Sequence, residues 1–222
     1  MLMAMRSIDP PRHLAELRVR AEALAGRGVD EIARALGFSL EGTALRTKGR
    51  VGELVERALG ASAGSSSQPD FPALGVELKT IPLSGGRARE STFVTALRVG
   101  GADSAEWDSS AVRAKTRHIL WVPLADDRTL GAPIFWQPTA SQDAILRADF
   151  EELVGRIGAG GIERLSARDG RWLQVRPKAA DGSARTLAPD GEGLDILTMP
   201  RGFYLRARFT SAILVDPLAL PE

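Results

Sequence analysis

The sequence predicts an α/β fold, a mixed sheet flanked by helices. Helical spacing of apolar residues dominates the stretch before Gly60. From residue 76 onward, short β-branched runs bounded by Pro and Gly take over. One long apolar stripe, again at helical spacing, interrupts them between 142 and 157. At 222 residues, 44% of them apolar, the chain is expected to be a single domain with a real core.

Residues 1–9 read as a loose start. Leu14, Leu17, Ala21 and Leu24 then recur at helical spacing until Gly26. Asp30 is placed to cap a second short helix with Ile32, Ala33 and Leu36 inward and Gly37 at its end. Residues 29–37 resemble the first helix of a helix-turn-helix, but Gly42 and Lys48-Gly49 spoil the second. A third helix is expected over 53–59, with Leu54, Val55 and Leu59 inward and Glu56 on the polar side. Pro72 and Gly75 mark a bend before a strand over 76–81.

Beyond it, 84–89 reads as a hairpin-like loop, 92–97 as a strand and 109–117 as a short helix. Residues 118–124 read as a buried strand, with His118 structural, and 133–136 as another. Thr139 and Gln142 form a capping-box start for the long helix. Its stripe (Ile145, Leu146, Phe150, Leu153, Val154, Ile157) is expected to cover the sheet. Runs 162–167 and 171–176 alternate around Asp169-Gly170, a hairpin signal. Residues 179–193 read as a polar loop, 197–206 as a loop and strand, 208–214 as a last helix, and about 215–222 as a mobile tail.

Composition narrows the chemistry. With no cysteine there are no disulfides or thiolate metal sites, and His13 and His118 are too few and too separated for zinc. No apolar run spans a bilayer and the start has no signal-peptide pattern, so the chain is expected in the cytoplasm. There is no P-loop. Gly60-Ala-Ser62-Ala-Gly64 matches a nucleophile elbow formally, but a helix precedes it where the elbow needs a strand. Net charge is only +1, yet residues 164–208 hold nine Lys and Arg against five Asp and Glu. That makes a local basic surface.

The stretch that carries chemistry is Asp70-Phe-Pro-Ala-Leu-Gly-Val-Glu77-Leu-Lys79-Thr-Ile. Alternation puts Glu77 and Lys79 on one face of the strand, about 7 Å apart at roughly 3.3 Å rise per residue. Asp70, before the bend, can return to the same point. Two carboxylates suit Mg²⁺, which keeps waters and substrate phosphate in its remaining positions. A lysine beside it can steer water or offset charge in the transition state. Asp-(x)6-Glu-x-Lys is the pattern of the restriction-endonuclease-like nucleases, and a packed third helix could add Glu56.

Longer strings carry a more specific resemblance. Residues 60–65 followed by 70–82, Val112-Arg-x-Lys115, 118–123, 175–180 and 197–205 resemble, in order, the MutH family, strand-nicking endonucleases of methyl-directed mismatch repair. The resemblance implies a restriction-endonuclease-like fold with two arms, N-terminal and C-terminal, forming a DNA cleft. It implies a Mg²⁺-dependent enzyme that nicks the unmethylated strand at hemimethylated GATC sites. Asp70 and Glu77 match metal carboxylates, with the Leu78 backbone carbonyl a further ligand. Lys79 matches the catalytic lysine, Glu56 a further active-site acid and Lys115 a second lysine near the site.

Lys48, Phe93, Arg176, Lys178 and Tyr204 match DNA-contact positions, Tyr204 being tied to sensing adenine methylation. Arginine suits guanine O6 and N7, and lysine a phosphate. The resemblance further implies a monomer activated by MutL, which MutS loads at a mismatch, and association with the nucleoid when active. The chain departs from the pattern in its N-terminus, a short 125–132 loop and the tail after Leu214. Two other readings fit the motif: a stand-alone GATC restriction endonuclease, and a non-catalytic DNA-binding regulator using residues 29–47.

Overall fold

The computed structural model describes residues 8–38, 48–63, 68–97, 106–166, 168–178, 183–190, 192 and 194–221. The chain divides into two compact units, Met1–Arg89 with His118–Trp136 and Glu90–Arg117 with Gln137–Glu222. The first unit opens with α1 (Leu14–Glu22), α2 (Val29–Ala35) and α3 (Lys48–Leu59), then the hairpin of β1 (Glu77–Ser84) and β2 (Arg87–Ala88). β3 (Thr92–Ala96) and α4 (Ala111–Thr116) belong to the second unit. The chain returns to the first for β4 (Ile119–Leu124) and β5 (Ile134–Trp136). The rest builds the second: α5 (Ala140–Gly158), β6 (Leu173–Pro177), β7 (Thr186–Pro189), β8 (Asp195–Thr198), β9 (Arg201–Leu205) and α6 (Ala207–Val215).

In the first unit the strands run in the order β2-β1-β4-β5, with β1 and β4 parallel and the outer pairs antiparallel. This is the mixed, helix-flanked sheet that the sequence predicts. Leu78, Leu120 and Val122 pack on the buried Leu17, Ile32, Val51, Leu54, Val55 and Leu59 of the three helices. α1 is capped by the His13 imidazole, whose Nδ1 accepts from the Glu16 N–H. The cap of α2 is Gly28, not Asp30; Asp30 lies inside the first turn, where its charge favours the helix dipole. α3 begins at Lys48, earlier than expected, because buried Val51 extends its apolar face across Gly49 and Gly52. The second helix of the weighed helix-turn-helix falls largely on residues 39–47, outside the described residues.

Both strands of the parallel pair continue through a proline. Ile81 pairs with Pro123 and Pro82 with Leu124 at the far end of the ladder, where missing N–H groups do least harm. β1 then turns at Gly85 and Gly86, both at positive φ, into the predicted hairpin.

The second unit has its own antiparallel sheet, β3-β9-β6, and a separate pair, β7-β8. The capping box of α5 is present as predicted. Its stripe, however, is buried in the second unit, not the unit that holds the mixed sheet. Leu146, Phe150, Leu153 and Ile157 are the buried members, and Phe150 meets Phe203 of β9 and Trp107.

The predicted hairpin at Asp169-Gly170 is also absent. Ile162–Arg164 is a 3-10 turn that buries Ile162 and Leu165, three apart, so the period there is 3 and not 2. β6 pairs instead with β9. The Asp169 carboxylate accepts from the Ser166 N–H and Oγ and from Arg156, closing a local turn. The loop predicted over 179–193 contains β7, whose partner β8 follows the Asp190 turn. Among the described residues no helix is long and apolar enough to cross a membrane.

Candidate active site and nucleic-acid-reading face

The acidic cluster lies in the first unit, at the start of β1. α3 ends at Gly60 (φ 79), where a Cβ would meet the Asp9 carbonyl oxygen at 2.5 Å, so only glycine fits. Ser62 and Ala63 then donate their N–H groups to the Asp70 carbonyl. From Asp70 the chain makes a tight excursion: Phe71 and Val76 exchange backbone hydrogen bonds around a 3-10 turn, and Gly75 closes it in the left-handed region at φ 63. The excursion returns Asp70 to the strand it preceded. Its Oδ2 accepts from the Leu78 N–H at 2.8 Å.

Glu77 and Lys79 share a face of β1, and Glu77 Oε1 accepts from Lys79 Nζ at 2.5 Å. Register places Glu77 opposite Ile119 and Lys79 opposite Trp121, both fully buried. Asp70 is 7% exposed and Glu77 1%, an unusual depth for two carboxylates. Glu56, partly buried on α3, has its carboxyl pKa raised, first by desolvation and then by the Asp70 carboxylate. Lys79 opposes the shift, while Glu77 and Glu53 add to it. Glu56 therefore feels the same field as the strand residues.

An excess of carboxylate charge in a desolvated place calls for a cation. Asp70 and Glu77 offer hard oxygen donors that suit Mg²⁺. Among the described residues no three His, Asp or Glu side chains converge tightly enough to hold a metal by themselves. Two carboxylates are the number with which Mg²⁺ keeps its remaining positions for water and phosphate, so the residues present fit that ion.

The predicted DNA-contact residues of the second unit come together on one face of its sheet. Leu173, Val175, Phe203 and Leu205 point to the core, so Gln174, Arg176 and Tyr204 point the other way. Gln174, Tyr204 and Phe93 lie side by side across the three strands. The Phe93 and Tyr204 rings meet edge to face, with centroids 5.3 Å apart. Lys178 Nζ sits 3.9 Å from the Phe93 ring centre, and the Arg176 guanidinium 5.9 Å from that of Tyr204. Burial raises the Tyr204 phenol, with Arg176 opposing and Glu90 adding, so the hydroxyl keeps its proton and can donate.

Sequence reasoning missed two members of this face. A Cβ at Gly202 would lie 2.8 Å from Phe93 Cε2 and 3.0 Å from the Thr95 carbonyl oxygen; the bare backbone makes room for the ring. Gln174 is 3% exposed and donates to Ser91 Oγ at 2.6 Å. Neither residue has a local motif. Only the pairing with β9 reveals them.

Lys115 is on α4 in the second unit, 8% exposed. Lys48 opens α3 in the first. His118 is buried edge-on to Phe135, a structural place as expected.

A family model described as DNA mismatch repair enzyme MutH matches residues 59–149. The DNA mismatch repair protein MutH of Shigella flexneri serotype 5b (strain 8401) is 44% identical over 215 residues, covering 93% of this chain and 94% of the relative. That of Escherichia coli (strain K12) is 43% identical over the same shares. The chain belongs to the MutH family. Its mixed sheet is the restriction-endonuclease-like part of this MutH-family fold. The matched stretch holds Asp70, Glu77, Lys79, Phe93 and Lys115, and the full-length similarity embraces both units.

Proposed function

We propose that this chain, a DNA endonuclease of mismatch repair, requires Mg²⁺ and nicks the unmethylated strand at hemimethylated GATC sites. It acts as a cytoplasmic monomer, nucleoid-associated when active, that MutL switches on after MutS has loaded MutL at a mismatch. The carrying observation is the buried Asp70–Glu77–Lys79 constellation.

Asp70, Glu77 and the Leu78 carbonyl would hold the metal. When bound it supplies a water activated at neutral pH and neutralises charge on the scissile phosphate. Asp70 is kept in place by the Leu78 N–H, so that its carboxylate is aimed by the strand itself. The Lys79 ammonium, anchored on Glu77, orients the attacking water and offsets the negative charge that develops on the phosphate. Glu56 holds its proton more tightly than a solvated glutamate does and can exchange it at the reacting centre. Lys115 adds a second cation.

Specificity comes from the other unit. Arg176 reads guanine through O6 and N7, Lys178 engages a phosphate and Phe93 provides an apolar platform, while Lys48 of the first unit engages a further phosphate. The Tyr204 hydroxyl meets the adenine N6 edge, where an added methyl removes a hydrogen bond or clashes.

The test is Lys79→Ala. Duplex binding should persist while nicking falls by on the order of 100-fold or more. Near-normal turnover by that variant would sink the mechanism.

A further inference from the structure

The second unit holds a cavity of about 560 Å³ that the reading above leaves unused. Arg168, Arg176, Arg206 and Arg208 line it together with Ser91 and Gln174, and among the described residues no Asp or Glu does. Three separate parts of the chain bring these guanidinium groups together. Arg168 lies within the Ser166–Asp169 turn, Arg176 stands on β6, and Arg206 and Arg208 flank the start of α6.

Backbone carbonyls position two of these arginines. Arg206 Nη2 donates to the Asp169 and Gly170 carbonyls, each at 2.8 Å, and Arg208 Nη2 to the Arg171 carbonyl at 3.1 Å. The nearby carboxylates are engaged elsewhere: Asp149 by the N–H groups of Arg171, Trp172 and Leu173, and Asp169 by Arg156 and Ser166. Burial, together with the Arg208 charge, holds Arg206 below the usual arginine range, with the Asp149 and Asp169 carboxylates opposing. No side chain caps α6, so its first N–H groups add to the positive field. Such a cavity is complementary to an anion that accepts forked hydrogen bonds.

Arg176 identifies which anion. It lines the cavity and also approaches the Tyr204 ring, so the cavity adjoins the face that carries Phe93, Lys178 and Tyr204. We propose that the cavity seats a backbone phosphodiester of the bound duplex, with Arg168 and Arg208 as phosphate ligands flanking the bases read by Arg176 and Tyr204. The inference rests on that face being the DNA-binding surface.

The experiment measures duplex affinity of the full chain by fluorescence anisotropy, in Mg²⁺-free buffer, on a GATC duplex and a shuffled one. Arg168→Ala, Arg208→Ala and the double variant are compared with wild type. Removing one phosphate ligand lowers the salt slope by about 0.9, so each single variant should reduce the affinity loss between 50 and 200 mM salt about 3.5-fold. The reduction should be equal on both sequences, and Arg208→Lys should retain the wild-type slope. If Arg208→Ala melts early, the exposed Arg168→Ala carries the test alone.

An unchanged slope in variants that still bind duplex overturns the inference and leaves the reading of the face intact. Failure of wild type to bind any duplex overturns that reading, and this inference with it. Calorimetric titration with inorganic phosphate separates the two sources of the anion. Saturable phosphate binding that the double variant loses, with the duplex salt slope unchanged, would assign the cavity to a free anion instead.

Discussion

Asp149 offers the sharpest test of how the second unit holds its reading strand. Its carboxylate is 5% exposed on α5 and accepts from the N–H groups of Arg171, Trp172 and Leu173 at 2.7, 2.6 and 2.8 Å. These three residues lead into β6, which carries Arg176. Asp149→Ala leaves the Trp172 and Leu173 groups stranded in the core, while Arg171 lies at the surface and can recruit water. A stranded buried N–H costs about 1–3 kcal/mol, so the loss is expected at about 3–5 kcal/mol. Asp149→Asn keeps one acceptor oxygen and should lose roughly half as much. Urea titration followed by Trp fluorescence reads the cost, with any transition confined to the other unit fitted separately. A change below about 1 kcal/mol for Asp149→Ala would refute the reasoning, because it would mean that the three N–H groups find other partners.

Other expectations concern the two sites. Glu56→Gln should stabilise the metal-free protein at pH 7 by on the order of 0.5 kcal/mol, small because the site is part-exposed and screened, while abolishing most nicking. A carboxyl whose folded pKa is raised stabilises the fold below its unfolded value of 4.5 and loses that contribution as pH rises through the folded value. The stabilising effect should therefore vanish below pH 4.5 in a pH series of thermal melts. Gly202→Ala places a Cβ against the Phe93 ring and the Thr95 carbonyl; it should cost about 1–3 kcal/mol in urea titrations and weaken duplex binding beyond that loss. Tyr204→Phe should reduce discrimination against methylated adenine by about tenfold in competitive nicking, the value of one specific hydrogen bond to a base.

What the sequence makes legible is what is local. Asp70, Glu77 and Lys79 lie within one strand and the bend before it, so period-2 alternation and two turn residues are enough to bring them together. The α5 capping box and the Gly85-Gly86 hairpin are legible for the same reason: each is closed by residues a few positions apart. The reading face is different. Phe93, Arg176, Lys178 and Tyr204 come only from the family resemblance, since their proximity depends on β9 pairing with both β3 and β6 across long separations.

The same distance hides Asp149, which looks like one polar position on a helix and in fact anchors a strand. It also hides the gathering of Arg168, Arg206 and Arg208. Where the sequence misleads, at Asp169-Gly170, a strong turn signal is real but serves a local carboxylate turn in place of a hairpin. β7 and β8 are invisible because burial barely shapes them. Leu187 and Leu197, paired opposite each other, are both exposed.

The most direct measurement is cleavage of a duplex with one GATC site, in unmethylated, hemimethylated and fully methylated forms, with and without Mg²⁺ and with MutL and ATP added. Strand-resolved products should show a Mg²⁺-dependent nick confined to the unmethylated strand of the hemimethylated duplex and none in the fully methylated one. Breaks in both strands of the hemimethylated duplex, or no cleavage of any form under any of these conditions, would contradict the proposed function.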